Sequence, residues 1–115
     1  MHIVGGYGEG RVDRAYHHVY DPSNDRWYNA APLPRGANHV AVVADKGQIT
    51  QGAVFGQMES YDPQTNTWQS HAPMTTPRHA VGATTIGDAI YVAGGGAVTG
   101  GSVQSSVHEA FTLAL

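Results

Sequence analysis

The sequence predicts an all-β chain built from a repeated unit, and three observations carry that expectation. Gly, Pro and β-branched residues interrupt every window before three helical turns accumulate. Apolar runs of strand length recur instead: His39–Ala44, Ala89–Ala93 and Val107–Leu113, each bounded by Gly, Pro, Asn or Asp. One pattern also returns at an offset of 41 residues. Tyr20-Asp21-Pro22, then Trp27, then Ala31-Pro32 is matched by Tyr61-Asp62-Pro63, Trp68 and Ala72-Pro73. Both copies then reach Pro-Arg, at Pro34-Arg35 and Pro77-Arg78. Six positions matched at one offset make an internal repeat.

Each part of the unit has a physical reading. Tyr-Asp-Pro ends a strand and enters a turn, because the Asp carboxylate can bond amides two residues on and Pro presets φ. Trp27 and Trp68 open the returning strand and offer large apolar surfaces for packing between sheets. Pro-Arg precedes the next short apolar strand. The pairs Gly5-Gly6 and Gly94-Gly95 close a strand where the backbone must turn or approach closely.

Composition excludes several function classes. The chain has 115 residues, a length for one domain. Hydrophobic residues make up 41% and charged ones only 13%, against a usual charged share of about 25%, so a charge-rich disordered tail is excluded. There is no cysteine, hence no disulfide framework, Cys-ligated metal or Cys nucleophile. No run approaches the roughly 18 apolar residues of a membrane helix. The net charge is −3 with no basic run, which argues against nucleic acid. Met1–Gly6 lacks the basic and apolar regions of a secretory leader. The 15 glycines, nearly twice the usual share of about 7%, sit in hairpins and at strand ends.

Together Gly5-Gly6, Tyr20-Asp21-Pro22, Trp27, Arg35, Tyr61-Asp62-Pro63, Trp68, Arg78 and Gly94-Gly95 resemble the Kelch repeat over essentially the whole chain. The resemblance implies a β-propeller, each repeat forming a four-stranded antiparallel blade around a channel. With strands lettered a to d from the channel outward, residues 2–6, 15–21 and 26–30 read as b, c and d. Residues 38–44, 48–54, 57–62 and 67–71 read as a to d. Residues 80–86, 89–94 and 105–113 read as a, b and c. The expected architecture is an incomplete propeller of about two and a half blades. Residues 1–33 form a blade without its inner strand, 34–74 a blade with a hairpin shortened by about seven residues, and 75–115 a blade without its outer strand. Such a stack leaves two sheet faces open, to be covered by further blades of a longer chain or by self-association.

The same resemblance places ligand contacts just after the arginine and just after Gly-Gly, at the channel mouth. The candidate binding residues are therefore Tyr7, Arg35, Asn38, His39, Arg78 and His79, with Gly36 and Gly96 beside them. An alternative for Arg35 and Arg78 is a structural one, bonding loop carbonyls or a carboxylate at a strand entrance. His17 and His108 share one repeat position with Met58, which points to packing. His18, Glu59 and Glu109 share the next, an exposed or hydrogen-bonded position. His17-His18 is no metal pair, since adjacent strand residues face opposite ways. The glycine loops lack the G-x-G-x-x-G and Gly-Lys-Ser/Thr patterns of phosphate cradles. The reading is a non-catalytic binding or scaffold segment for a protein or carbohydrate partner, with no cofactor, metal, nucleic acid or membrane. The alternative implied by the resemblance is a piece of a carbohydrate-active enzyme, like the sugar oxidases or sialic-acid epimerases. The oxidase site needs a Cys joined to a Tyr, and this chain has no Cys.

Overall fold

The computed structural model describes residues 1–45, 48–52, 56–78, 80–96 and 104–113. Ten strands are present among them: β1 (His2–Val4), β2 (His17–Asp21), β3 (Arg26–Asn29), β4 (Ala41–Asp45), β5 (Gln48–Gly52), β6 (Met58–Asp62), β7 (Thr67–His71), β8 (Gly82–Ile86), β9 (Ala89–Ala93) and β10 (His108–Phe111). They pair only with sequence neighbours, antiparallel, into sheets β1-β2-β3, β4-β5-β6-β7 and β8-β9-β10. The sheets carry three, four and three strands in chain order, as expected of a partial Kelch propeller. The Gly-rich stretch after β1 also holds a single 3-10 turn, Glu9–Arg11, which the strand pattern does not foretell. No helix among the described residues is long and apolar enough to cross a membrane.

The repeat's turn chemistry is reproduced in both copies. Asp21 accepts the Ser23 amide at 2.9 Å, and Asp62 accepts the Gln64 amide at 2.9 Å. Each hairpin then needs one left-handed residue, filled by Asp25 (φ 50°) and Asn66 (φ 53°), side-chain types that tolerate that region. Tyr20 and Tyr61 donate their hydroxyls to these same residues, to Asp25 Oδ1 and Asn66 Oδ1, both at 2.7 Å. The registers Tyr20↔Trp27 and Tyr61↔Trp68 follow.

The shortening of the middle unit lies between β5 and β6. Gly52 pairs with Met58, whereas Ala93 pairs with His108, so residues 53–57 do the work of residues 94–107. The deficit is nine residues, not the expected seven, because β4 runs on to Asp45 and the β4–β5 turn matches the β8–β9 turn in length.

Packing lies between the sheets. The second and third sheets enclose an apolar core of Met58, Met74, Ile90, Val92 and Leu113, with Val43, Val81, Ala83 and Phe111 against it. The junction of the first and second sheets is aromatic and polar. His17 meets Tyr61 edge-on with ring centres 4.4 Å apart, and Trp68 at 5.6 Å. Trp68 donates its indole N–H to the Ala31 carbonyl at 2.9 Å.

The expectation that both tryptophans pack between sheets holds for Trp68 alone. Trp27, its repeat equivalent, is 56% exposed, because Trp68 covers the preceding sheet and no sheet among the described residues precedes the first. The shared position of His17, Met58 and His108 behaves in the same way at the other end. His17 (2%) and Met58 (3%) are buried by the following sheet, while His108 is exposed.

The two tryptophans therefore separate in a stability measurement. Trp68→Ala is expected to cost about 3 kcal/mol in urea denaturation, through lost packing and one of the two hydrogen bonds to the Ala31 carbonyl. Trp27→Ala is expected to stay within about 0.5 kcal/mol. Equal losses at the two positions would contradict the assignment of their faces.

Candidate functional site

Three of the expected binding residues gather at one place, held by backbone rather than by side chains. The segment after β1 folds back on itself through the isolated bridge Tyr7↔Asp13 and is tied to the segment before β4 by the bridge Arg14↔Ala37. Gly6 donates its amide to the Ala37 carbonyl at 2.7 Å, and Arg14 donates to the Gly6 carbonyl at 2.9 Å. Close approach needs glycine twice here. A Cβ on Gly5 (φ 70°) would lie 2.6 Å from the Ala37 oxygen, and one on Gly36 would collide with the Asp13 carbonyl.

On this frame Tyr7 is 51% exposed, and its ring meets the His39 ring edge-on at 6.0 Å. Asn38 donates its carboxamide N–H to Asp13 Oδ1 at 2.5 Å and turns its oxygen to His39 Nδ1. His39 is held at φ 49°. Ala80 stands at the equivalent point before β8, 41 residues on, at φ 57°. The repeat thus places a left-handed residue just before strand a, a region that costs a non-glycine side chain of order 1 kcal/mol or more. Tyr7, Asn38 and His39 present an aromatic face, a hydroxyl, a carboxamide and an imidazole together, a set suited to a peptide or a sugar. Asp13, which fixes Asn38, carries no sequence signal: it lies 25 residues away, in a glycine-rich loop outside the repeat.

The two arginines lie elsewhere and differ. Arg78 is 1% exposed. Its Nη1 donates to the Gly94 and Val107 carbonyls, both at 2.8 Å, its Nε to Thr76 at 3.2 Å and its Nη2 to Val92 at 3.4 Å. Glu109 Oε1 stands 3.5 Å from Nη2. This is the structural arrangement, a strut joining the loop before β8 to the ends of β9 and β10. Arg35 is about half exposed and pairs with the buried Glu59 at 3.6 Å. His79 lies outside the described residues.

Glu109 therefore occupies the hydrogen-bonded version of the shared position, and Glu59, only 1% exposed, a buried ion-paired one. Burial pushes the Glu109 carboxyl up. The hydrogen bonds from Thr75 and Thr76, whose amides donate at 3.0 Å each, together with the Arg78 charge, bring it below the ordinary carboxylate value. Among the described residues no three His, Asp or Glu side chains gather as a metal site.

Two histidines of the first sheet form a chain at its junction with the second. His17 Nδ1 donates to the Ala31 carbonyl at 2.9 Å, so its Nε2 accepts from His2 Nδ1 at 2.8 Å. Burial lowers both pKa values from 6.5, and their mutual repulsion lowers that of His2 further. In the unfolded chain these residues take up protons near pH 6.5 that the folded chain refuses, so stability falls as pH drops below 6.5.

Two outcomes follow. The Tm is expected to decline between pH 7 and pH 5, and His17→Met, the residue used at Met58, is expected to flatten that decline. Arg78→Ala is expected to cost ~3–5 kcal/mol in urea denaturation, because it takes the charge partner from Glu109 and the donors from four carbonyls in a closed junction. A loss under about 1 kcal/mol would remove the strut role.

No family model matches the chain. It is 43% identical over 100 residues to the Kelch-like protein terF of Aspergillus terreus, covering 77% of this chain and 22% of that protein. It is 37% identical over 105 residues to Kelch-like ECH-associated protein 1A of Danio rerio, covering 83% and 17%. Kelch-like protein 35 of Mus musculus is 24% identical over 106 residues, covering 91% and 18%. The chain spans about a fifth of the length of these relatives.

Proposed function

Because the chain belongs to the Kelch-repeat family and carries part of its β-propeller, we propose that it is a non-catalytic binding segment engaging a protein or glycan partner through its loops. The observation that supports this most is the Tyr7–His39–Asn38–Asp13 cluster. Its side chains are exposed or half-buried, while the backbone beneath them is pinned by two bridges and two close glycine contacts. Pre-ordered loops with exposed aromatic and amide groups lose little freedom on binding. Arg78 is left out of this surface, since its donors are already spent on carbonyls of the third sheet.

The test uses the αL backbone of His39. His39→Gly keeps that conformation available and removes only the imidazole. In glycan-array and peptide-library screens, the hits of the wild-type chain are expected to weaken about tenfold or more on His39→Gly or Tyr7→Ala, with Tm unchanged or raised for His39→Gly. Hits indifferent to both substitutions would move the binding surface elsewhere. Copper binding or turnover of free sugars would replace the binding reading with the enzymatic one.

A further inference from the structure

The hydrogen bonds of the Tyr7–His39–Asn38–Asp13 cluster fix which of its atoms are donors. An ionised carboxylate only accepts. Asp13 Oδ1, 2.5 Å from the Asn38 carboxamide nitrogen, therefore holds the N–H end of that group and turns its oxygen the other way. The oxygen meets His39 Nδ1. A carboxamide oxygen also only accepts, so the neutral His39 ring carries its proton on Nδ1 and its lone pair on Nε2. The backbone makes this contact possible. Adjacent side chains of an extended chain point to opposite faces, which would keep Asn38 and His39 apart. At φ 49° His39 leaves the extended region, and its ring folds back onto Asn38.

The resulting polarity matches one kind of ligand. Tyr7, half exposed, stands beside the His39 ring at an interplanar angle of 79°, so an aromatic face and the imidazole acceptor adjoin. The charge built into the cluster is the Asp13 carboxylate. Arg14, next in sequence, leaves from the other face of the ribbon and lies across Gly8. Among the described residues neither Arg11 nor Arg14 pairs with Asp13. A pyranose can lay a C–H face on Tyr7, donate one hydroxyl to His39 Nε2 and accept at the next from the second N–H of Asn38. A carboxylate has no proton to give, and would meet both the Nε2 lone pair and the Asp13 charge.

We infer that Asp13 is the positioning residue of this surface: through Asn38 it holds His39 as the Nδ1–H tautomer, and the surface so polarised selects the hydroxyls of a neutral sugar over an anionic group. The sugar assignment rests on the binding reading given above. The tautomer does not.

The first measurement needs no ligand. Long-range 1H–15N NMR of the 15N-labelled chain at pH ~8, where imidazoles are neutral, is expected to show His39 protonated at Nδ1 and bare at Nε2. Asp13→Ala lets Asn38 turn either end to the ring, and is expected to give a mixture of the two tautomers with Tm unchanged, because Asp13 is exposed. A proton on Nε2 in the wild-type chain would overturn the inference whatever the chain binds, as would a pattern indifferent to Asp13→Ala. The second measurement takes neutral methyl pyranosides and their uronic-acid counterparts as probes. Binding of neutral members is expected to move the His39 Nε2 resonance, and to weaken about tenfold on Asp13→Ala. Equal or tighter binding of the uronates would overturn the selection, as would a panel that does not bind. Peptide hits that depend on Tyr7 and His39 beside a silent sugar panel would keep the binding surface and overturn the sugar.

Discussion

A propeller blade has two faces and no interior of its own. Whatever a sheet buries, it buries against the sheet beside it, and this constraint orders most of what the chain displays. It explains why one repeat position is a buried hydrogen-bonded histidine at His17, a buried thioether at Met58 and an exposed ring at His108. His17 meets the incoming Tyr61 and Trp68, so a polar aromatic residue fits there and finds the Ala31 carbonyl. Met58 meets Ile90, Val92 and Leu113, which offer no hydrogen-bond partner from their side chains, and a flexible apolar residue fills the space. The residue type follows the neighbour rather than the strand that carries it.

The arginine–glutamate pairs join the sheets along their loops. Arg78 and Glu109 form the fuller version, in which the guanidinium closes four carbonyls and the carboxylate closes two amides. Arg35 and Glu59 form the leaner one, in a connection where Pro32 and Pro34 remove two backbone donors. A buried guanidinium is tolerated because its fixed fork matches several acceptors at once. A lysine at Arg78 would carry the charge but could not bridge the ends of β9 and β10 in this way.

Strand order and sheet membership were legible in the sequence because they rest on local chemistry. Asp21 and Asp62 turn the chain, Trp27 and Trp68 restart it, and the period of 41 shows where each unit recurs. The state of each face was not legible locally. Trp27 and Trp68 carry the same signal and differ only in what stands in front of them. The arginine site was half legible: the pattern marked Arg35 and Arg78, but only the fold shows Arg78 sealed and Arg35 half open. The loop cluster was legible at Tyr7, Asn38 and His39 through the resemblance. Asp13 escaped it, because its contact with Asn38 joins two loops that no period relates.

The strictly sequential strand pairing has a consequence for how the chain assembles. Within each sheet every ladder joins strands adjacent in sequence, so the sheets can form early and at low entropic cost. Among the described residues the middle sheet alone has four strands and a neighbour on either side. It is the natural nucleus, with the outer sheets condensing onto it through the His17–Tyr61–Trp68 junction on one side and the Met58–Ile90–Val92 core on the other. Opening would run in the reverse order, from the ends inward, so the flanking sheets act as separable units of a linear array whose cooperativity is set at two seams.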